Sequence, residues 1–150
     1  TTLFRSGKEY IYKIWNEPVR NPFLRNRALH YWYPLDLSRM NEAAAHYIGK
    51  HDFTSFCTSD ARDRGDMCRT VTRAGIQRDG GLVTFTVAAD GFLYNMVRIM
   101  VGTLLYVAQG KLQPEQIPEI LAARDRTAAG PTAPPCGLYL NRVFYGEGPV

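Results

Sequence analysis

The sequence predicts an α+β domain built on a largely antiparallel, mixed β-sheet flanked by helices. Three observations lead there. Residues 9–15 and 82–89 alternate side-chain character at period two, the mark of strands with two different faces. Asp79-Gly80-Gly81 is a tight-turn sequence joining two such runs. Residues 34–49 and 94–109 repeat apolar positions at helical spacing. Strand, helix, hairpin, helices and strand, in that order, fit a sheet covered by helices.

In the first strand Tyr10, Tyr12 and Ile14 fall on one face, and Ile11, Lys13 and Trp15 on the other. Residues 16–27 hold Pro18 and Pro22 among polar side chains and read as a loop. Residues 30–33 read as a short extended piece. In residues 34–49, Leu37, Met40, Ala44, Tyr47 and Ile48 make one apolar stripe. Asp36 offers a carboxylate to the free amides of the first turn, and Gly49 suits a left-handed C-cap. Phe53 and Phe56, three apart, place a helical turn against the core within residues 51–56, with His51 before Asp52 helping to cap it. Residues 58–66 are polar and read as mobile.

Residues 68–78 and 82–89 form the hairpin. Val83, Phe85, Val87 and Ala89 face one way; Thr84 and Thr86 face the other. A further helix opens at Pro114 or Pro118, because proline is tolerated in a first turn. It carries Ile117, Ile120 and Leu121 and ends near Arg124. Residues 127–137 are too rich in Ala, Pro and Gly for a helix or strand, and residues 138–145 make the last strand. No internal repeat and no domain linker is visible.

Composition narrows the function classes. With 150 residues, 45% of them hydrophobic, the chain fits one domain or one lobe of a larger protein and buries a core. No apolar run reaches the roughly 18 residues that span a bilayer; the longest, residues 96–105, contains Arg98 and Gly102. A membrane partner is therefore not expected. Residues 1–6 lack the basic-then-apolar pattern of a signal peptide and read as an expression remnant or linker. Cys57, Cys68 and Cys136 are odd in number and form no C-x-x-C, so neither a disulfide framework nor a zinc site is indicated. His30, His46 and His51 are not at ligand spacing.

The net charge of +4 and a pI near 9.1 are compatible with a nucleic-acid partner. The densest basic stretch, Arg62, Arg64, Arg69, Arg73 and Arg78, is interleaved with Asp60, Asp63, Asp66 and Asp79. It reads either as a solvated mixed-charge face or as a phosphate-contacting one.

The helix over residues 94–109 is apolar nearly all round and so should be buried, yet it carries Arg98. At 100° per residue Asn95, Arg98, Gly102 and Gln109 share one narrow side. No acid occurs between Asp90 and Glu115. An unpaired charge taken out of water costs several kcal/mol, so two readings stand. Either Arg98 snorkels to solvent along its aliphatic stem, or it holds a carboxylate or phosphate supplied from elsewhere.

Four segments, taken together, resemble one family. They are residues 8–14 (Lys-Glu-Tyr-Ile-Tyr-Lys-Ile), 51–56 (His-Asp-Phe-Thr-Ser-Phe), 91–102 (Gly-Phe-Leu-Tyr-Asn-Met-Val-Arg-Ile-Met-Val-Gly), and Asp125-Arg126-Thr127 followed by Gly137-Leu138-Tyr139-Leu140. In order and spacing they are similar to the C-terminal half of the catalytic domain of TruA-type tRNA pseudouridine synthases, over residues 7–145. The resemblance implies a cytoplasmic, homodimeric enzyme that isomerises uridine to pseudouridine in the tRNA anticodon stem-loop. It implies no metal or organic cofactor. The target base is flipped out, an aspartate acts on the nucleoside, the glycosidic bond breaks, the uracil turns and a C–C bond forms. By the same resemblance Tyr10 stacks on or next to the base, Arg98 pairs with the catalytic aspartate, and Leu138 packs against the base. Tyr10 and Leu138 also read as ordinary core residues, as Tyr12 does.

One feature of the family is not here. Its nucleophilic aspartate lies in a Gly-Arg-Thr-Asp segment, which this sequence lacks. The chain is thus expected to be a fragment, residues 7–150 forming the C-terminal subdomain, and inactive alone. The alternatives are a non-catalytic RNA-binding or dimerisation module, and a structural domain with no RNA role.

Overall fold

The computed structural model describes residues 6–58 and 65–145. Six strands form one mixed sheet: β1 (Gly7–Trp15), β2 (Leu29–His30), β3 (Gly49–Asp52), β4 (Cys68–Asp79), β5 (Leu82–Ala89) and β6 (Leu138–Phe144). The order is β2-β1-β5-β4-β3, and β6 pairs with β1 on the edge that β2 shares. Only β1–β2 is parallel. Three helices, α1 (Leu37–Ala45), α2 (Met96–Ala108) and α3 (Ile117–Ala123), complete the α+β fold expected from the sequence.

The alternating strands do what their pattern asks. Tyr12 and Ile14 of β1 stand opposite Phe85 and Val83 of β5 and are buried with them. Lys13 and Thr84, opposite each other, belong to the other face. The hairpin turns at Gly80, whose φ of +60° is a conformation glycine adopts without steric cost. All of α2 except Arg98, Tyr106 and Ala108 is buried, and the Tyr47 hydroxyl donates to its Met100 carbonyl at 3.0 Å.

Several boundaries differ from expectation. Asp36 does cap α1, accepting from the Arg39 amide at 3.2 Å. The helix nevertheless stops at Ala45, and tight i→i+3 bonds carry the chain from His46 to Ile48. That tighter winding turns Ile48 outward, leaving it 45% exposed rather than part of the buried stripe. Gly49 (φ +113°) opens β3 instead of capping the helix. The expected turn in residues 51–56 is the 3-10 turn Thr54–Phe56, with Phe53 and Phe56 fully buried. Phe53 is its N-cap residue, without a side-chain cap bond, and Asp52 before it accepts from the Thr54 amide; His51 bonds to the Ile48 carbonyl.

The extended piece near residue 30 is β2, shorter and earlier than read. Pro114 opens a 3-10 turn that runs into α3, with Pro118 inside the first turn of α3. The polar stretch read as mobile, with Asp60, Arg62, Asp63 and Arg64, falls mostly outside the described residues. So do residues 1–5 of the expected remnant.

Candidate functional site

The site forms where the first half of β1, the start of β6 and the N-terminal end of α2 meet. Tyr10 sits on β1, one step beyond the buried Tyr12 on the same face. It is half-buried, and its ring meets Phe92 edge-on, centroids 5.0 Å apart. Leu138 is the cross-strand partner of Tyr12, and Leu140 that of Tyr10. Tyr10 and Leu138 are therefore diagonal neighbours on one face, roughly 7–8 Å apart by sheet geometry. A register shift after Glu9 makes room for the extra residue Asn141 on β6. Such a bulge re-aims the side chains beside it.

Arg98 does not extend into bulk solvent. It is half-buried, Nε donates to the Ala133 carbonyl at 2.7 Å, and Nη1 donates to Asn95 Oδ1 at 3.1 Å. Asn95 is itself fixed: it takes a left-handed φ of +61° before the first turn of α2 and donates to Thr58 Oγ1 at 3.1 Å. Among the described residues no carboxylate lies within ion-pair distance of Arg98, and its Nη2 has no partner. The guanidinium is held in place while one edge stays open.

The segment that receives Arg98 is built for close approach. The Ala133 amide donates back to the Arg98 carbonyl at 3.0 Å. A Cβ on Gly102 would lie 1.6 Å from the Pro131 carbonyl oxygen, so only glycine lets the segment reach α2 there. Thr103 Oγ1 accepts from the Gly130 amide at 2.9 Å. Asp125-Arg126-Thr127 shapes the approach: Asp125 accepts from the Thr127 amide and hydroxyl, and Arg126 donates to Gly130 O and Thr132 Oγ1. One residue past Ala133, the Pro134 carbonyl accepts from the Tyr12 hydroxyl at 2.6 Å. Arg98 and Tyr12 thus hang on adjacent carbonyls, and Tyr12 faces Leu138. Burial pushes the Tyr12 phenol far above its ordinary range, the neighbouring Cys136 adds to this, and the Arg98 charge opposes it.

Tyr12 connects the three residues: its hydroxyl and Arg98 reach adjacent carbonyls, Leu138 is its cross-strand partner, and Tyr10 lies two residues before it on β1. An open cavity of about 440 Å³ adjoins Tyr10 and Phe92 and is lined by Lys8 and Arg69. Among the described residues Arg69 donates to the Asp66 and Cys68 carbonyls; after the bond from the Cys68 amide, its charge helps hold the Asp66 carboxyl below its ordinary range, and Asp90 lines the same cavity. An aromatic pair flanked by two cations suits a nucleotide: ring for base, cations for phosphate. Among the described residues no cluster of three or more His, Cys, Asp or Glu could hold a metal ion. No helix among the described residues is long and apolar enough to cross a membrane.

Sequence reasoning missed four participants. Phe92 and Asn95 lie within residues 91–102, and Asn95 shares the Arg98 side of the helix, which is the available signal. Leu140, 53% exposed beside Tyr10, needed the strand register. Glu9 is only 4% exposed; Arg73 at 3.3 Å and Asn141 at 2.7 Å satisfy its carboxylate. Arg73 is thereby accounted for by an ion pair, which favours the mixed-charge reading for it; Arg78 donates to the neutral Asn16 Oδ1 at 2.7 Å.

Comparison with known proteins gives consistent results. The family model described as tRNA pseudouridine synthase matches residues 43–146. The chain is 49% identical over 141 residues to tRNA pseudouridine synthase A of Geobacillus kaustophilus, covering 94% of this chain and 54% of that protein. It is 44% identical over 139 residues to the protein of the same name from Acetivibrio thermocellus, covering 93% and 57%. The Moorella thermoacetica protein of that name is 49% identical over 138 residues, covering 92% and 56%. The chain spans about half the length of the curated relatives it matches.

Proposed function

The chain belongs to the tRNA pseudouridine synthase family, and on that premise we propose that it is the C-terminal subdomain of a parent enzyme that converts uridine to pseudouridine in the tRNA anticodon stem-loop. The observation that carries the proposal is Arg98: a guanidinium fixed on two sides, open on the third, with no carboxylate among the described residues to pair it. A preorganised charge of this kind serves a group that arrives from elsewhere.

In this reading the parent's other half brings the nucleophilic aspartate, and Arg98 orients it and keeps it ionised. Tyr10 offers its ring to the flipped uracil, and Leu138 closes the apolar side. The reaction breaks the N1–C1′ bond, rotates the uracil and joins C5 to C1′. The C5 proton leaves to solvent and N1 ends protonated, so no redox partner is needed. Lys8 and Arg69 take backbone phosphates. The parent acts without a metal or organic cofactor, as a homodimer in the cytoplasm. The isolated chain, without the aspartate, is inactive.

The test is tritium release from tRNA carrying [5-³H]uridine, run on the full-length parent and on this chain. Turnover by the parent and none by the chain is expected. Turnover above background by the chain alone overturns the half-site reading. A parent that binds tRNA without turnover favours the non-catalytic binding module.

A further inference from the structure

A second cavity lies away from Tyr10 and Arg98. It is an open cavity of about 790 Å³ at the far end of β1, between Trp15 and residues 20–32, a size typical of small-ligand sites. Trp15 is five residues from Tyr10 along an extended strand, about 17 Å at some 3.4 Å per residue. Cys136 lines the cavity and stands two residues before Leu138, so one short segment borders both places.

Its chemistry is that of a nucleotide site. Two indoles, Trp15 and Trp32, and the imidazole of His30 contribute rings; Arg20 and Arg25 contribute charge. Trp32 is 56% exposed. Both arginines are exposed, and neither guanidinium has a hydrogen-bond or ion-pair partner among the described residues. Residues 16–34 hold three arginines against the single acid Glu17. Aromatic faces beside uncommitted guanidiniums match a base and its phosphates.

The walls are held rigid. Trp15 Nε1 donates to the Val19 carbonyl at 2.8 Å. Asn16 Nδ2 donates to the Tyr31 and Tyr33 carbonyls at 2.8 and 2.7 Å, and His30 Nε2 donates to the Glu17 carbonyl at 2.8 Å. Nδ1 of the same ring is buried without a hydrogen-bond partner among the described residues. A preformed, charged, ring-lined cavity needs little ordering on binding.

We infer that this cavity is a second RNA site, holding an unpaired nucleotide of the tRNA at a distance from the uridine being isomerised. The inference rests on the tRNA reading above. It assigns Trp32 to stacking and Arg20 and Arg25 to phosphate, with no part in the chemical step.

The experiment uses the full-length parent and a tRNA transcript. R20E/R25E should raise KM for tRNA about tenfold and leave kcat within twofold. Two lost phosphate contacts should flatten the slope of log Kd against log salt by about 1.4. W32A should weaken binding at least fivefold. W32F, which keeps a ring, should bind as the unaltered protein does, yet lose the part of the tRNA-induced fluorescence quench that Trp32 contributes. Unchanged affinity and salt slope in R20E/R25E and W32A overturn the inference. So does a W32A variant whose sedimentation changes while its RNA affinity does not, since that marks a protein contact. If the unaltered parent neither binds nor modifies tRNA, the tRNA reading itself fails, a result seen before any variant is compared.

Discussion

Replacing Arg98 by lysine keeps the positive charge and removes the planar fork. In the structure Nε and Nη1 reach two acceptors in different directions, Ala133 O at 2.7 Å and Asn95 Oδ1 at 3.1 Å. A lysine ammonium cannot serve both and still present an open edge. Hydrogen bonds to a charged group contribute about 1.5–3 kcal/mol each, and half-burial places this one toward the lower figure. R98K in the full-length parent should therefore lose about 1.5–2 kcal/mol of stability, a Tm decrease of roughly 3–8 °C. The effect on turnover should be larger. Loss of a preorganised electrostatic contact costs about 10²–10³ in kcat, and the loss should fall on kcat, with KM within threefold, because the pair acts on the reacting aspartate. Single-turnover tritium release gives the rate and thermal denaturation gives the stability. A variant with lowered Tm but kcat within threefold would refute the reasoning and reduce Arg98 to a strut between α2 and Ala133.

Other predictions follow from particular contacts. Y10F keeps the ring and its edge-on contact with Phe92 and should bind tRNA within twofold of the parent; Y10A should lose about 1–3 kcal/mol of stacking, read as a roughly 5–150-fold rise in Kd. G102A drives a Cβ against the Pro131 carbonyl and should cost at least the upper part of about 1–3 kcal/mol; a Tm within 1–2 °C of the parent would contradict the close approach. E9A leaves Asn141 and Arg73 without their acceptor; since Arg73 is exposed and regains water, about 1–2 kcal/mol should be lost, measured by urea denaturation. Tyr12 and Tyr47 are held neutral by burial, their phenols raised above the ordinary 10.0. The unfolded chain ionises them first, so stability is full below about pH 10 and falls as pH rises beyond it; Y12F should blunt that fall.

Local patterns were legible in the sequence, and long-range ones were not. The alternation of β1 and β5 and the Asp79-Gly80-Gly81 turn each depend on neighbours a few residues away, and the structure agrees with them. The two-residue β2 carries no pattern of its own and exists because β1 offers it a partner at Ile14 and Trp15. Glu9 alternates like an exposed residue; the extra residue Asn141 and the register shift near Arg73 bring partners over it. For Arg98 the sequence showed that no acid on its own helix could pair with it. That the Ala133 carbonyl, 35 positions later, would take its Nε depends on Gly102 and on the Asp125–Thr127 turn acting together. The cavity beside Trp15 was hidden for the same reason: residues 16–27 read as a loop and residues 30–33 as a separate extended piece, and only the fold sets Trp32 and Arg25 around one space.

The most direct test of the central claim is a crystal structure of the full-length parent, read at Arg98. An aspartate carboxylate from outside this chain is expected within about 3 Å of the open Nη2, with Tyr10 and Leu138 bordering the same space. An Arg98 that meets only water or solvent ions there, with every carboxylate of the other half beyond ion-pair distance, would contradict it.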